Sequence, residues 1–143
     1  MTKFQRISLF LLRVSLGWLF FWAGITKILK PGGWSAIGYL QNAKTFPALF
    51  QWFASPALLP VTNLVNEWGL TLLGVSLILG VFIRWSAPFG IALMVLYYLP
   101  ILRFPYPDAN SFIVDQHIMF IIVLAVLAAF DAGRFWGLGK SIN

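Results

Sequence analysis

Five ionisable side chains interrupt otherwise apolar stretches, and their types are suited to chemistry: Arg13, Lys27, Glu67, Asp115 and His117. His117 is the one histidine of the chain, and a neutral imidazole can donate a hydrogen bond, accept one and carry a proton. Carboxylates such as Glu67 and Asp115 can relay protons, and a cation such as Lys27 can stabilise negative charge on a bound molecule. We therefore take His117, Glu67 and Asp115 as the candidate catalytic residues.

The elements that must position these groups are predicted to be transmembrane helices. Of the 143 residues 60% are hydrophobic and 10% are charged. Soluble domains carry roughly 25% charged residues, so this chain cannot cover a water-soluble surface. A span needs about 20 mostly apolar residues. Four segments qualify, and we predict an all-α integral membrane four-helix bundle with helices at about 7–28, 61–83, 85–102 and 111–130. The first segment is expected to be a retained helix, because no small-x-small cleavage site follows it.

The composition also excludes several kinds of function. The net charge is +6, but the lysines and arginines are scattered singly, so no basic stripe indicates nucleic-acid binding. Isolated bases beside apolar segments suit the lipid headgroup boundary instead. The chain has no cysteine, and its histidine has no second histidine at metal-ligand spacing, so we predict no metal site.

A long interfacial loop, residues 31–60, separates the first two predicted helices. It is rich in aromatic residues, and Pro47 and Pro56 prevent one continuous helix, so we predict one or two short helices on or dipping into the membrane. Two roles are open: an anchor in the interface, or a lid over a site between the helices.

The basic residues beside the helix ends predict the orientation in the membrane. Five of them lie on the side of the two termini and four on the other side, which favours both termini on the cytoplasmic side.

Three predicted helices bring ionisable groups to a similar depth. Lys27 lies near the outer end of the first helix, and Glu67 lies about 9 Å inside the second at 1.5 Å per residue. Asp115 and His117 are predicted about four and six residues inside the fourth. They are then 200° apart on that helix, so only one of them can face the bundle, and we favour His117. A charge at this depth costs about 2.5 to 3.5 kcal/mol, so each group needs a partner, a cavity or a role.

Helical periodicity also predicts which helices touch. Residues on one face of the first helix are Arg13, Gly17, Phe20, Gly24 and Lys27, and residues on one face of the second are Asn63, Glu67, Thr71, Gly74 and Ile78. Small residues permit close helix approach, so we predict that these two faces meet.

Each candidate also has a purely structural interpretation. Lys27 and Glu67 would form an ion pair that fixes helix register, Arg13 would reach Asp131 or the interface, and Asp115 would cap the fourth helix. The tryptophans, Trp22 among them, are typical of interfacial anchors or bundle packing. Tyr97 and Tyr98 are expected to pack and to form hydrogen bonds.

Three segments carry a family resemblance: RVSLGWLFFWAGITKILKP at 13–31, EWGLTLLGVSLILGVFIRWSAP at 67–88, and VDQHIMFIIVLAVLAAFDAGRFWGL at 114–138. They resemble the DoxX/DoxD family of small prokaryotic membrane proteins. The third segment is more similar to the DoxD branch, named for the membrane subunit of thiosulfate:quinone oxidoreductase. The resemblance implies a four-helix bundle in the cytoplasmic membrane that works with a redox partner subunit and the quinone pool. The matching motif positions are Arg13, Gly24, Lys27, Glu67, Arg84 and His117.

The first functional hypothesis is a membrane oxidoreductase subunit that binds quinone, with thiosulfate as a possible electron source. His117 would bond a quinone carbonyl, Glu67 or Asp115 would relay protons, and Lys27 or Arg13 would stabilise charge on the reduced quinone. Trp22 completes the predicted cofactor-binding set of Arg13, Lys27, Glu67 and His117. The alternative is a non-catalytic membrane anchor or scaffold for a soluble redox enzyme, and a homo-oligomer is compatible with either hypothesis.

Overall fold

The computed structural model describes residues 1–141, and helices are the regular secondary structure of this range. The α-helices of this range are α1 (Lys3–Ile28), α2 (Ile37–Gln41), α3 (Pro47–Phe53), α4 (Leu59–Leu79), α5 (Ile83–Ile101) and α6 (Gln116–Ala129). Two short 3-10 turns, Ala132–Arg134 and Leu138–Ser141, follow α6. No strand occurs in residues 1–141, so the all-α prediction is confirmed.

The closest helix packing in the molecule joins α1 to α4 along their glycine-bearing faces. A Cβ atom added to Gly17 would lie 2.9 Å from the backbone nitrogen of Ile78 and 3.0 Å from the carbonyl oxygen of Gly74. A Cβ atom on Gly24 would collide with the backbone and hydroxyl of Thr71. The prediction that these two faces meet is therefore confirmed. The contact is this close because glycine has no side chain.

The hydrophobic core lies among the four long helices. Its fully buried members come from α1, α4, α5 and α6 and include Phe20, Leu70, Leu73, Leu77, Met94, Leu124 and Leu127. α5 packs mainly against α6. The last residue of α4 is Leu79, because the next residue, Gly80, has a φ of +70°, so the helix is shorter than the prediction, which placed its end at residue 83. The turn is thus short, and α5 begins at Ile83.

The predicted start of the fourth long helix at 111 is wrong, because α6 begins only at Gln116. Asp115 is extended (φ −121°, ψ −170°), and its carboxylate accepts hydrogen bonds from the backbone N–H groups of His117 (2.9 Å) and Ile118 (3.2 Å). This is the N-cap that the structural interpretation proposed. The resulting helix of 14 residues is about 21 Å long.

Two helices of the described residues, Lys3–Ile28 and Leu59–Leu79, are long and apolar enough to cross a bilayer. Membrane spans at α5 and α6 stay predictions. The loop of residues 31–60 contains α2 and α3, as the short-helix prediction requires. These two helices share a small core of Ala36, Leu40 and Phe50, against which Leu99 of α5 packs.

Candidate functional site

A cavity of about 490 Å³ lies beneath the loop helices, where the ends of α1 and α6 meet α4 and α5. Its walls are mainly apolar and aromatic, and its polar lining includes Lys27, Tyr39, Asn66, Tyr97 and His117. A ligand pocket typically has 300 to 1,000 Å³, apolar walls and a few convergent polar groups, so this cavity has the character of a ligand site. We call it the Lys27–His117 cavity.

Lys27 is held at the cavity by aromatic rings. Its Nζ lies 4.9 Å from the centroid of the Trp34 ring and 5.8 Å from that of the Tyr97 ring, both within cation–π range. No carboxylate of the described residues lies within 4 Å of this ammonium group. A cation–π contact of a half-buried ammonium group such as this contributes about 0.5 to 2 kcal/mol. The positive charge therefore remains available to a ligand.

The predicted ion pair between Lys27 and Glu67 is not formed. Lys27 extends towards the loop and α5, whereas Glu67 does not line the cavity and stays half-buried on α4. The Glu67 backbone, at the contact with Gly24, accepts a hydrogen bond from the Thr71 hydroxyl at 2.7 Å. Lys27 and His117 thus share the wall of one cavity and Asp115 contacts His117, whereas Glu67 does not line the cavity. The common membrane depth of the four groups stays a prediction.

His117 and Asp115 are in direct contact, contrary to the prediction that they face different ways. The Nδ1 atom of His117 lies 2.6 Å from Oδ2 of Asp115, and the exposed fractions of the two side chains are 15% and 3%. The 200° separation holds only inside a helix, and Asp115 lies before the helix begins. His117 lines the cavity, as favoured from the sequence.

The contact with Asp115 decides which ring nitrogen of His117 can act in the cavity. A carboxylate only accepts hydrogen bonds, so Nδ1 carries the proton that it donates to Asp115. In the described residues Nε2 has no hydrogen-bond partner. Nε2 can therefore accept from a ligand when the ring is neutral and donate to a ligand when the ring is protonated.

Two tyrosines and an asparagine extend this polar group. The Tyr97 hydroxyl donates to the side-chain oxygen of Asn66, and the Tyr97 ring meets the His117 ring edge to face at 6.2 Å. The Tyr39 hydroxyl donates to the backbone oxygen of Tyr97. Partial burial, helped by the negative charge of Asp115, raises the pKa of Tyr39 to about 12. Tyr39 therefore remains a protonated donor across the neutral pH range.

Sequence reasoning assigned Tyr97 a packing role with a hydrogen bond, which is confirmed, but it missed the site roles of Asn66 and Tyr39. Both of these residues line the cavity. Asn66 is buried on α4, one residue before Glu67. The available signal in the sequence was a polar residue within an apolar helix.

Hydrogen bonds fasten the loop over the cavity. Asn63 of α4 accepts from the backbone N–H of Ala36 at 2.9 Å. Lys44 donates its backbone N–H to the Pro100 oxygen at 2.8 Å, and the Thr45 hydroxyl donates to the Leu102 oxygen at 2.7 Å. The loop therefore covers one side of the cavity, and its two predicted roles, anchor and lid, stay predictions.

Arg13 does not line the Lys27–His117 cavity, so its role in binding a cofactor there has no support from the structure and stays a prediction. It precedes Lys27 by about 21 Å along α1. Its side chain is fully buried and donates to the carbonyl oxygens of Ala132 (2.6 Å), Phe135 (3.2 Å) and Trp136 (3.4 Å). It does not reach Asp131, which pairs with Arg134. Arg13 therefore holds the segment after α6 against α1.

Trp22 also lies outside the cavity. Its side chain is 57% exposed, and its ring stacks on that of Trp18 with centroids 6.0 Å apart. Trp22 faces outwards from α1 and does not line the Lys27–His117 cavity, so its place in a cofactor-binding set stays a prediction. Residues 1–141 also contain no group of three His, Cys, Asp or Glu side chains that could hold a metal ion.

Comparison with known proteins gives one family. The model of the DoxX family matches residues 8–101. The matched region runs from α1 to the end of α5, so it includes Lys27, Asn66 and Tyr97 but not the Asp115–His117 pair. The chain matches no curated protein and no solved structure.

Proposed function

Since the chain belongs to the DoxX family of membrane proteins, we propose that it is the membrane subunit of a quinone-linked oxidoreductase and binds the quinone head group in the Lys27–His117 cavity. In this proposal α1, α4, α5 and α6 are four spans of a prokaryotic cytoplasmic membrane, with both termini on the cytoplasmic side. A redox partner subunit would deliver electrons from a reduced sulfur compound such as thiosulfate.

The observation that carries the proposal is an apolar, aromatic cavity with a cation and a proton-carrying imidazole in its wall. The size of about 490 Å³ suits a small ring compound with part of an apolar tail. The faces of Trp34 and Tyr97 offer flat surfaces for a ring, and Lys27 and His117 offer donors for its oxygens. The residues therefore fit a quinone.

A bound quinone would supply a two-electron, two-proton acceptor for electrons from the partner subunit. His117 would pass the two protons on from Nε2 one after the other and regain each from water, while Asp115 accepts from Nδ1–H and stabilises the positive ring. Lys27 would stabilise negative charge on the ligand, in surroundings where partial exclusion of water strengthens the interaction. The hydrogen bonds of Tyr97 and Tyr39 would keep the wall and the lid in place.

The proposal is tested by the quinone content of the purified protein. Protein is extracted in a mild detergent, washed, and analysed for bound quinone by mass spectrometry. We expect wild type to retain quinone and His117→Ala and Lys27→Met to lose most of it. Lys30→Met is the matched control for Lys27→Met, because it removes the same charge from an exposed residue three positions on.

Two results would contradict the proposal: wild type without quinone, even after incubation with a short-chain quinone, or equal retention by all variants. Wild type without quinone that still captures a soluble redox enzyme would support the scaffold hypothesis instead.

A further inference from the structure

A second pocket, of about 320 Å³, lies at the beginning of α1, remote from the Lys27–His117 cavity. Its lining includes three basic side chains, Lys3, Arg6 and Arg134, and two aromatic ones, Phe135 and Trp136. We propose that this basic pocket binds the phosphate of an anionic phospholipid headgroup. The proposal is independent of the quinone site.

The pocket lies at the depth where lipid phosphates are found. Arg6 precedes Lys27 by about 32 Å along α1, slightly more than the hydrocarbon thickness of about 30 Å. When α1 crosses the membrane, the two ends of this helix therefore reach opposite headgroup layers. The exposed side chains of Lys3 and Arg6, one helical turn apart, then point into the headgroup layer from which a lipid phosphate can approach.

The charges of the pocket favour an anion. Three basic side chains face one acidic neighbour, Asp131, whose carboxylate pairs with Arg134. Lys3 and Arg6 form no ion pair within 4 Å in the described chain, so their charges are open to a ligand. They also lie in the first turns of α1, where the helix dipole adds positive potential.

Buried contacts fix one wall of the pocket. The carbonyl groups of Phe135 and Trp136 accept from the buried guanidinium of Arg13. Trp136 has a φ of +51°, a left-handed conformation that is rare for a non-glycine residue and is held here by those contacts. Arg6 lies over the Phe135 ring at 5.8 Å. The backbone of one wall is thereby fixed against α1.

The aromatic wall favours a lipid over free phosphate. Trp136 is 59% exposed beside the bases, and tryptophan is typical of the membrane–water interface. A phospholipid would place its phosphate on the bases and its glycerol and upper acyl carbons against Trp136. Free inorganic phosphate would use only the bases.

The test measures lipid binding by the full-length protein. Purified protein is titrated with short-chain phosphatidylglycerol and, separately, with phosphatidylcholine, while bound lipids are counted by native mass spectrometry. We expect saturable binding of phosphatidylglycerol at one site, and an apparent dissociation constant about fivefold higher for Arg6→Gln. That factor corresponds to roughly 1 kcal/mol for each basic residue at an anionic lipid surface.

Three further variants sharpen the test. Arg84→Gln is the matched control, because Arg84 is an exposed arginine outside the pocket, and we expect wild-type binding. Lys3→Gln should weaken binding of phosphatidylglycerol as Arg6→Gln does, so the conclusion does not depend on one variant alone. Asp131→Asn frees Arg134 from its ion pair and should tighten binding.

Equal binding of phosphatidylcholine would overturn the proposal, as would equal losses in Arg6→Gln and Arg84→Gln. Inorganic phosphate is the third arm of the experiment. The pocket is a site for soluble anions, and the lipid assignment is wrong, if millimolar phosphate displaces phosphatidylglycerol completely and the protein binds phosphate as tightly as it binds the lipid.

Discussion

Replacement of Asp115 by asparagine should reverse the tautomer of His117 while the helix remains capped. In the wild type, Oδ1 of Asp115 accepts from the backbone N–H groups of His117 and Ile118, and Oδ2 accepts from Nδ1–H of the His117 ring. An asparagine oxygen can keep both backbone bonds. Its amide nitrogen would then face Nδ1, and because this group only donates, Nδ1 must become an acceptor. The ring proton moves to Nε2.

The magnitudes separate this variant from Asp115→Ala. Asparagine is as good an N-cap as aspartate, so Asp115→Asn loses only the difference between a charged and a neutral hydrogen bond, about 1 kcal/mol of unfolding free energy. Alanine removes the cap, worth about 1 kcal/mol, and the charged bond to the ring, worth about 1.5 to 3 kcal/mol. The expected loss for Asp115→Ala is therefore about 3 kcal/mol.

The single histidine of the chain makes the assay unambiguous. The ¹⁵N shifts of the His117 ring in detergent micelles, at a pH where the ring is neutral, report which nitrogen carries the proton. We expect Nδ1–H in wild type and Nε2–H in Asp115→Asn, with thermal unfolding measured on the same samples and on Asp115→Ala. The reasoning is refuted if wild type carries its proton on Nε2, or if the two variants are equally destabilised.

Three further predictions concern the packing and the cavity wall. Gly24→Ala should lower the free energy of unfolding by about 1 to 3 kcal/mol through collision with α4, whereas Gly38→Ala, with open space around it, should cost nothing; equal unfolding midpoints would contradict this. Arg13→Met leaves buried carbonyl groups without a donor and should lower the free energy of unfolding by about 3 kcal/mol. A decrease below about 0.5 kcal/mol would show that Arg13 does not hold the segment after α6 against α1. Tyr97→Phe removes the donor to the buried side chain of Asn66 and should lower the free energy of unfolding by about 1 kcal/mol, the net contribution of one hydrogen bond; an unchanged unfolding midpoint would contradict this contact in the cavity wall.

The contact between the first two long helices could be predicted from the sequence because it depends on a local pattern. The spacing of Gly17 and Gly24 on α1 and of Gly74 on α4 fixes which faces can approach closely, and the structure has this contact. The end of α4 was less predictable. Gly80 signals a helix end, but the apolar residues that follow it hid the turn.

The candidate site shows where sequence reasoning stops. His117 and Lys27 were predicted at one level by counting along apolar segments, and the structure has both in the wall of one cavity. The relation of Asp115 to His117 was wrong, because the angle between them depends on where the helix begins, and an aspartate that caps a helix leaves no mark in hydropathy. The ion pair of Lys27 with Glu67 is absent from the described residues because it depends on which way two long side chains turn, and aromatic rings hold Lys27 elsewhere.

The central claim is that the Lys27–His117 cavity binds quinone, and quenching of tryptophan fluorescence by a short-chain quinone tests it most directly. Trp34 lines the cavity and contacts Lys27, so a bound quinone should quench its emission. The chain has seven tryptophans, so we expect saturable quenching in wild type whose amplitude falls in Trp34→Phe, with weaker affinity in His117→Ala and unchanged affinity in Lys30→Met. Quenching that never saturates, or that persists unchanged in Trp34→Phe and His117→Ala, would contradict the claim.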